Sequence, residues 1–317
     1  MRYVEIPGTE LRVSMIGLGC NAFGERADRE ASLAIVDRAL DAGVTLLDTA
    51  DMYCEGRSEE ILGEALKGRR DRVVLATKGG GVARGIAPGG GSRKYLTHAL
   101  EASLRRLRTD YVDLYYVHYF DPATPGLETL ETLDELRRAG KIRAIGVSNY
   151  SAWQVCKSLW TSERAGLIRV ACVQASYSLV DRTTELEMLP LCIDQQIGLW
   201  AFWPLGGGIL TGKYRANEPP PDTSRILTQP ILAKSFTPSR IALAERVASA
   251  AAKLRCTPAQ LALAWVLSRP GVTGALIGAT KVSQLEDNVG AMDVVIPEEL
   301  ARELEDLSAE ARWTPFR

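Results

Sequence analysis

Short apolar runs alternate along this chain with longer stretches whose apolar residues recur three and four positions apart. The first run, SMIGLGC, closes in glycines and reads as a buried strand. Later runs predict strands at Thr45–Thr49, Val73–Lys78, Val112–His118, Ile142–Val147, Val170–Ala175, Gly198–Phe202 and Val272–Ile277. The stretches between them predict helices at Arg29–Ala42, Ser58–Lys67, Arg93–Leu107, Gly126–Arg138, Ala152–Ser162, Glu185–Asp194, Ser239–Leu254 and Val282–Val289. In the first helix Leu33, Val36, Ala39 and Leu40 share a face, and Gly43 follows as a stop signal. Regular alternation predicts an α/β fold with a parallel sheet, and eight strand–helix units predict closure into a (β/α)8 TIM barrel.

Some stretches depart from the rhythm. Residues 1–13 alternate and turn at Pro7-Gly8, which predicts an N-terminal β-hairpin. Helices at Pro258–Ser268 and Glu298–Leu307 are additions to the eight-fold plan. Three connections are irregular: the glycine-rich Gly79–Ser92, the long 206–238 loop with Pro219-Pro220-Pro221, and the tail Ala309–Arg317. Long connections in a compact domain are usually functional or disordered. The first two follow strands and so belong to the barrel's active face. One barrel domain over 1–317 is the expected organisation, ending in a helix and tail at 297–317.

Composition narrows the class without naming a chemistry. The chain is 46% hydrophobic and 24% charged, enough to bury a large core. A net charge of −1 gives no footprint for nucleic acid or an anionic membrane. No apolar run approaches the roughly 18 residues of a membrane span, and MRYVEIPGTE lacks the apolar region of a signal peptide. The six cysteines are scattered, without a CxxC and without metal-like spacing to the two histidines. The expectation is a reduced, cytoplasmic protein with no metal site.

The candidate chemistry lies at strand ends. Asp48, Lys78 and His118 each finish one of three consecutive predicted strands, and Tyr53 follows Asp48 by five residues. In a parallel barrel those ends meet on one face, where ionisable residues read as catalytic. A tyrosine titrates near 10, and lowering it by about three units takes roughly 4 kcal/mol. Lys78 is expected to supply that shift by favouring the phenolate, with Asp48 pairing to the ammonium. His118 is placed to hydrogen-bond a substrate oxygen or complete a proton path. Such a set protonates an oxygen on which charge develops, which suits carbonyl reduction if a hydride donor is bound.

Plainer readings stand beside these. Asp48 and Lys78 also fit a purely structural ion pair. His98 shares a helix with Arg93 and Glu101 and reads as a solvated face. Gly79–Gly91 mimics a phosphate loop, yet no GK[ST] follows, so a lid or plain loop is expected. Cys54 has Arg57 as its basic sequence neighbour and is expected to be inert. Trp203, Trp313 and Phe316 are candidates for either packing or a substrate pocket.

Six stretches, taken in order, resemble the aldo-keto reductases: GVTLLDTADMY, RVVLATK, DYVDLYYVH, GKIRAIGVSN, PLGGGILTGKY and GATKVSQLEDN. The match covers nearly the whole chain, and the branch is closer to bacterial reductases and voltage-gated potassium channel β-subunits than to vertebrate aldose reductases. The resemblance implies NADPH bound extended across the C-terminal face, without a Rossmann fold. It makes Tyr53 the general acid, assisted by Lys78 and Asp48, with His118 orienting the carbonyl. It implies that Ser148, Asn149 and Gln174 hydrogen-bond the carboxamide and that Phe202 lies under the nicotinamide. Trp203, Pro204, Leu205, Gly206 and Gly207 would wrap the pyrophosphate, with Lys213 reaching a phosphate. Gly278, Thr280, Lys281 and Gln284 would hold the 2′-phosphoribose, and Asp287 and Asn288 the adenine. Gly19, Cys20 and Asn21 after the first strand, with Asp48 and Arg225, complete the implied cofactor set.

The chain departs from the family pattern in places. Relatives often carry Arg near Thr280 or Gln284, whereas Lys281 and Arg225 are the evident cations here, so NAD(H) stays possible beside NADP(H). Trp203 stands where Ser or Gly is usual, and Cys54 where Gly is. The leading expectation is an NADPH-dependent reductase of small aldehydes or ketones. A nucleotide-sensing regulatory subunit is the alternative from another class, although channel β-subunits carry Asn at the place of His118. A sugar or alcohol dehydrogenase running in the oxidative direction is the third. Both a monomer and a homo-oligomer fit the sequence.

Overall fold

A computed structural model describes residues 1–82, 85–216, 218–222, 224–228, 233 and 236–312. Its core is a closed barrel of eight parallel strands: β3 (Ile16–Gly19), β4 (Leu46–Asp48), β5 (Val74–Gly79), β8 (Val112–Val117), β9 (Ile142–Ser148), β10 (Val170–Ser176), β11 (Gly198–Phe202) and β12 (Gly274–Gly278). These strands are apolar nearly throughout because both faces are covered, one by the barrel interior and one by helices. β12 returns to β3 with Gly278 opposite Gly19, and Gly19 stands opposite Asp48, so the ring closes beside the first ionisable strand end.

Helices α1 (Arg29–Asp41), α2 (Arg57–Ala65), α3 (Arg93–Leu107), α4 (Gly126–Arg138), α5 (Ala152–Ala165) and α6 (Met188–Asp194) connect the first strands. Helices Pro238–Lys253, Pro258–Ser268 and Val282–Val289 follow β11 and β12. Start signals in the sequence work as caps: Asp28 accepts Ala31 N–H at 2.8 Å, and Ser151 with Gln154 forms a capping box. The sixth helix starts later than its pattern predicts. A 3-10 turn occupies Thr183–Glu185, and α6 begins at Met188, which puts Pro190 in the first turn where its missing N–H costs nothing.

The barrel interior is filled rather than hollow. Leu46, Ala76, Leu114, Tyr116, Cys172, Trp200 and Leu276 pack together inside it. Gly146 and Gly274 make the two large rings possible, because a Cβ there would lie 2.3 Å from Tyr116 and 2.2 Å from Trp200. The predicted hairpin forms as β1 (Tyr3–Glu5) and β2 (Arg12–Ser14), and its Ile6, Leu11 and Val13 belong to this interior cluster. The hairpin is therefore the floor of the barrel, and the chemistry is left to the opposite end.

That opposite end carries the irregular connections. The glycine-rich stretch contains a small antiparallel pair, β6 (Gly81–Val82) with β7 (Gly85–Ile86), where a lid or plain loop was expected. The 206–238 loop opens with a 3-10 helix, Gly206–Thr211. Arg182 is fully buried and ties helix Glu298–Leu307 to the barrel through Glu305 O and Ser308 Oγ, both at 2.8 Å. Trp313 and Phe316 lie outside the described residues. No described helix is long and apolar enough to cross a membrane.

Candidate active site

Asp48 ends β4, Lys78 stands one residue before the end of β5, and His118 follows β8 directly. Tyr53 opens a 3-10 turn that is forced into an unusual path. Cys54, Glu55 and Gly56 all adopt positive φ (49°, 57° and 89°), two of them without glycine's freedom. This kink turns the chain straight into α2 and leaves the phenol over the strand ends.

The four side chains meet. Lys78 Nζ donates to Asp48 Oδ1 at 2.5 Å, to Thr49 O at 2.7 Å and to Tyr53 Oη at 3.3 Å, so its three protons are all used. Gln174 Nε2 donates to the other carboxylate oxygen of Asp48 at 2.6 Å. The rings of Tyr53 and His118 meet edge to face with centroids 5.8 Å apart. Asp48, Lys78 and His118 are all buried.

Burial is the largest single influence on each of the four groups. It alone would pull Lys78 down, but Asp48 and then Tyr53 raise it, so the ammonium is held. Asp48 is raised by burial against the pull of Lys78 and Gln174. Tyr53 differs from the sequence-based expectation. Burial raises it above its ordinary value and outweighs the lowering by Lys78, so the phenol keeps its proton in the free protein. His118 is pushed well below its usual range by burial and then by Lys78, which leaves the imidazole neutral. The arrangement is a neutral phenol beside a fixed cation, able to give up a proton when an adjacent oxygen gains negative charge.

Several residues proposed for a dinucleotide lie at or next to the same strand ends, among them Gly19, Ser148, Gln174, Phe202 and Gly278. Gly19 ends β3, Cys20 is buried, and Asn21 Oδ1 takes a hydrogen bond from Arg26 at 3.1 Å. Ser148 is buried, and Asn149 donates its amide to His118 O at 3.0 Å and to Ser148 Oγ at 3.1 Å. Gln174 spends its amide on Asp48. Phe202 ends β11 with its ring edge-to-face on Trp203, which is 37% exposed and itself has φ 52°. Pro204 and Leu205 lead into Gly206, Gly207 and Gly208, all at positive φ. Around Gly208 an added Cβ would meet nothing closer than Lys213 Nζ at 3.9 Å, leaving backbone open to a bulky group. Arg225 is pushed down to about 10, by burial and then by neighbouring Arg26.

At the far end Gly278 is exposed, and Lys281 caps helix Val282–Val289. Gln284 is turned back onto Thr280, accepting from its N–H at 2.8 Å and its hydroxyl at 3.1 Å. Asp287 accepts the Thr257 hydroxyl at 2.9 and 3.2 Å, and Asn288 is buried. Asp287 therefore serves a helix contact in the free protein. An open glycine cradle, a helix start and the cations Arg26, Lys213, Arg225 and Lys281 fit the phosphates of a dinucleotide.

Sequence reading missed Arg26 and Asp51. Arg26 carried one signal, a basic residue just past a glycine-ended strand. Asp51 carried none, because its surroundings are tertiary: its N–H reaches Lys78 O at 3.0 Å, and Glu59 and Arg106 act on its carboxylate. Cys54 is raised by burial and Glu25, so it stays a thiol.

A profile of the Aldo/keto reductase family matches residues 15–309. The chain belongs to the aldo/keto reductase family. The Uncharacterized oxidoreductase YrpG of Bacillus subtilis is 35% identical, over 97% of this chain and 96% of that protein. Protein tas of Escherichia coli is 34% identical, over 96% of this chain and 97% of its own. A Probable voltage-gated potassium channel subunit beta of Oryza sativa is also 34% identical, over 93% and 92%. Membership in the aldo/keto reductases makes the chain an NAD(P)H-dependent oxidoreductase acting on a small molecule.

Proposed function

We propose that this aldo/keto reductase reduces an aldehyde or ketone with NADPH, Tyr53 supplying the proton. The observation that carries the reading is the Lys78 ammonium, held at 2.5 Å by Asp48 and 3.3 Å from the Tyr53 hydroxyl. When bound, the reduced nicotinamide supplies a hydride to the carbonyl carbon. Tyr53 donates its proton to the carbonyl oxygen, and Lys78 stabilises the phenolate left behind. Asp48 keeps Lys78 charged in a buried site, and Gln174 holds Asp48. His118, neutral, donates a hydrogen bond to the same oxygen and orients it. Phe202, the glycines Gly206–Gly208, Lys213, Arg225 and Lys281 would hold the dinucleotide, with Lys281 favouring the 2′-phosphate.

The test is a fluorescence titration of the pure protein with NADPH and NADH, followed by aldehydes and ketones with nicotinamide absorbance as the readout. Tight NADPH binding with substrate-dependent oxidation is expected. Binding without turnover on any carbonyl would favour a nucleotide-sensing regulatory subunit; the rice relative is named as a potassium channel subunit. His118 speaks for turnover, since a neutral, buried imidazole beside the phenol is built for a carbonyl.

A further inference from the structure

A histidine that acts through one ring nitrogen is ordinarily held by a hydrogen bond at the other, which also sets its tautomer. His118 is held differently. Among the described residues its Nδ1 is buried with no hydrogen-bond partner, on a side chain only 5% exposed. Tyr119 is stacked on the imidazole, with centroids 4.9 Å apart and planes 20° from parallel. Tyr53 meets the ring with its planes 82° apart. On the Nδ1 side lies Gly81, where an added Cβ would come within 3.0 Å of Nδ1 and 2.8 Å of Met52 Sδ.

From this packing we infer that Tyr119 and Gly81 are positioning residues for His118, clamping the imidazole with its proton on Nε2. A proton on Nδ1 would be a buried donor on the Gly81 side, with no oxygen among the described residues to receive it. A bare lone pair there costs less, since unsatisfied acceptors are tolerated better than unsatisfied donors. Nε2–H is then the group left to meet a substrate oxygen. Burial and Lys78 keep the ring neutral, so one nitrogen carries the proton. Gly81 matters because a Cβ there would press on the ring, 3.0 Å from Nδ1 and 3.2 Å from Cγ. Tyr119 is required because stacking replaces the missing hydrogen bond. The assignment of a carbonyl to Nε2–H rests on the reductase reading; the tautomer does not.

The chain has two histidines, which makes the test direct. Protein labelled with 15N-histidine is examined by long-range proton–nitrogen correlation, with H98Q assigning the two rings. The wild type should show His118 as the neutral Nε2–H tautomer. Y119A and G81A should each give a mixture of tautomers, with kcat lower by about tenfold to a hundredfold and KM changed less. Y119F keeps the stacked ring and should recover the wild-type spectrum and most of the turnover lost in Y119A. An Nδ1–H spectrum in the wild type overturns the inference. So does a wild-type spectrum in folded Y119A and G81A, or a Y119F variant no better than Y119A. The spectra are read without substrate, so a failed search for carbonyl turnover would sink the reductase reading and leave this one standing or falling on its own.

Discussion

At the scale of single residues, the site is governed by what burial does to charge. Lys78 has three partners in a place from which water is excluded, and each does a different task. Removing Tyr53's hydroxyl should cost what loss of a general acid costs. Tyr53→Phe is expected to lower kcat by roughly 10²–10⁴ with NADPH affinity nearly unchanged, checked by paired turnover and fluorescence titrations. Lys78→Met acts on stability as well, because it strands Asp48 as an unpaired buried carboxylate. A loss of about 3–5 kcal/mol in urea unfolding at neutral pH is expected, and a variant as stable as wild type would refute the pairing. Asp51 gives a pH signature. Burial, then Glu59, pushes it up to about 7, against the Met52 N–H, Arg106 and Lys78. An aspartate in the unfolded chain titrates near 3.9, so between there and about 7 the unfolded state releases a proton that the fold retains. Stability therefore falls as pH rises through that window, and the cost is fully present above it. Asp51→Asn should raise the urea midpoint at about pH 8 and give no such gain at about pH 4.

Elements explain how these side chains are brought together. β4, β5 and β8 are neighbours in the ring, so Asp48, Lys78 and His118 reach one place by strand register alone. The hairpin of β1 and β2 performs the complementary task at the other end. Ile6 is fully buried in the barrel floor, and Ile6→Ala should cost about 2–5 kcal/mol in urea unfolding while leaving NADPH binding intact. Equal stability would mean the floor repacks. Strand and helix order was legible because apolar periodicity is local. The start of α6 at Met188 was not, since Pro190 decides it and a 3-10 turn takes up the preceding residues. The small β6–β7 pair was equally hidden, because two-residue strands leave no periodicity to read.

At the scale of the whole molecule, the barrel sets a floor, a filled interior and one open rim where the four meeting side chains lie. Cofactor choice belongs to this scale, since a dinucleotide would span from Phe202 on β11 to the helix that Lys281 caps. Lys281→Ala should weaken NADPH about tenfold and NADH little, in parallel fluorescence titrations. Equal losses would move the 2′-phosphate elsewhere. The sequence alone determined the closed eight-strand plan, the hairpin and the identity of the four meeting side chains. Those follow from short-range patterns and from strand ends that parallel closure must bring together. Tertiary structure decided the protonation states, the turning of Gln174 onto Asp48 and of Asp287 onto Thr257, and the stacking that holds His118. Each of these depends on burial and on partners distant in the chain, and a linear pattern carries neither.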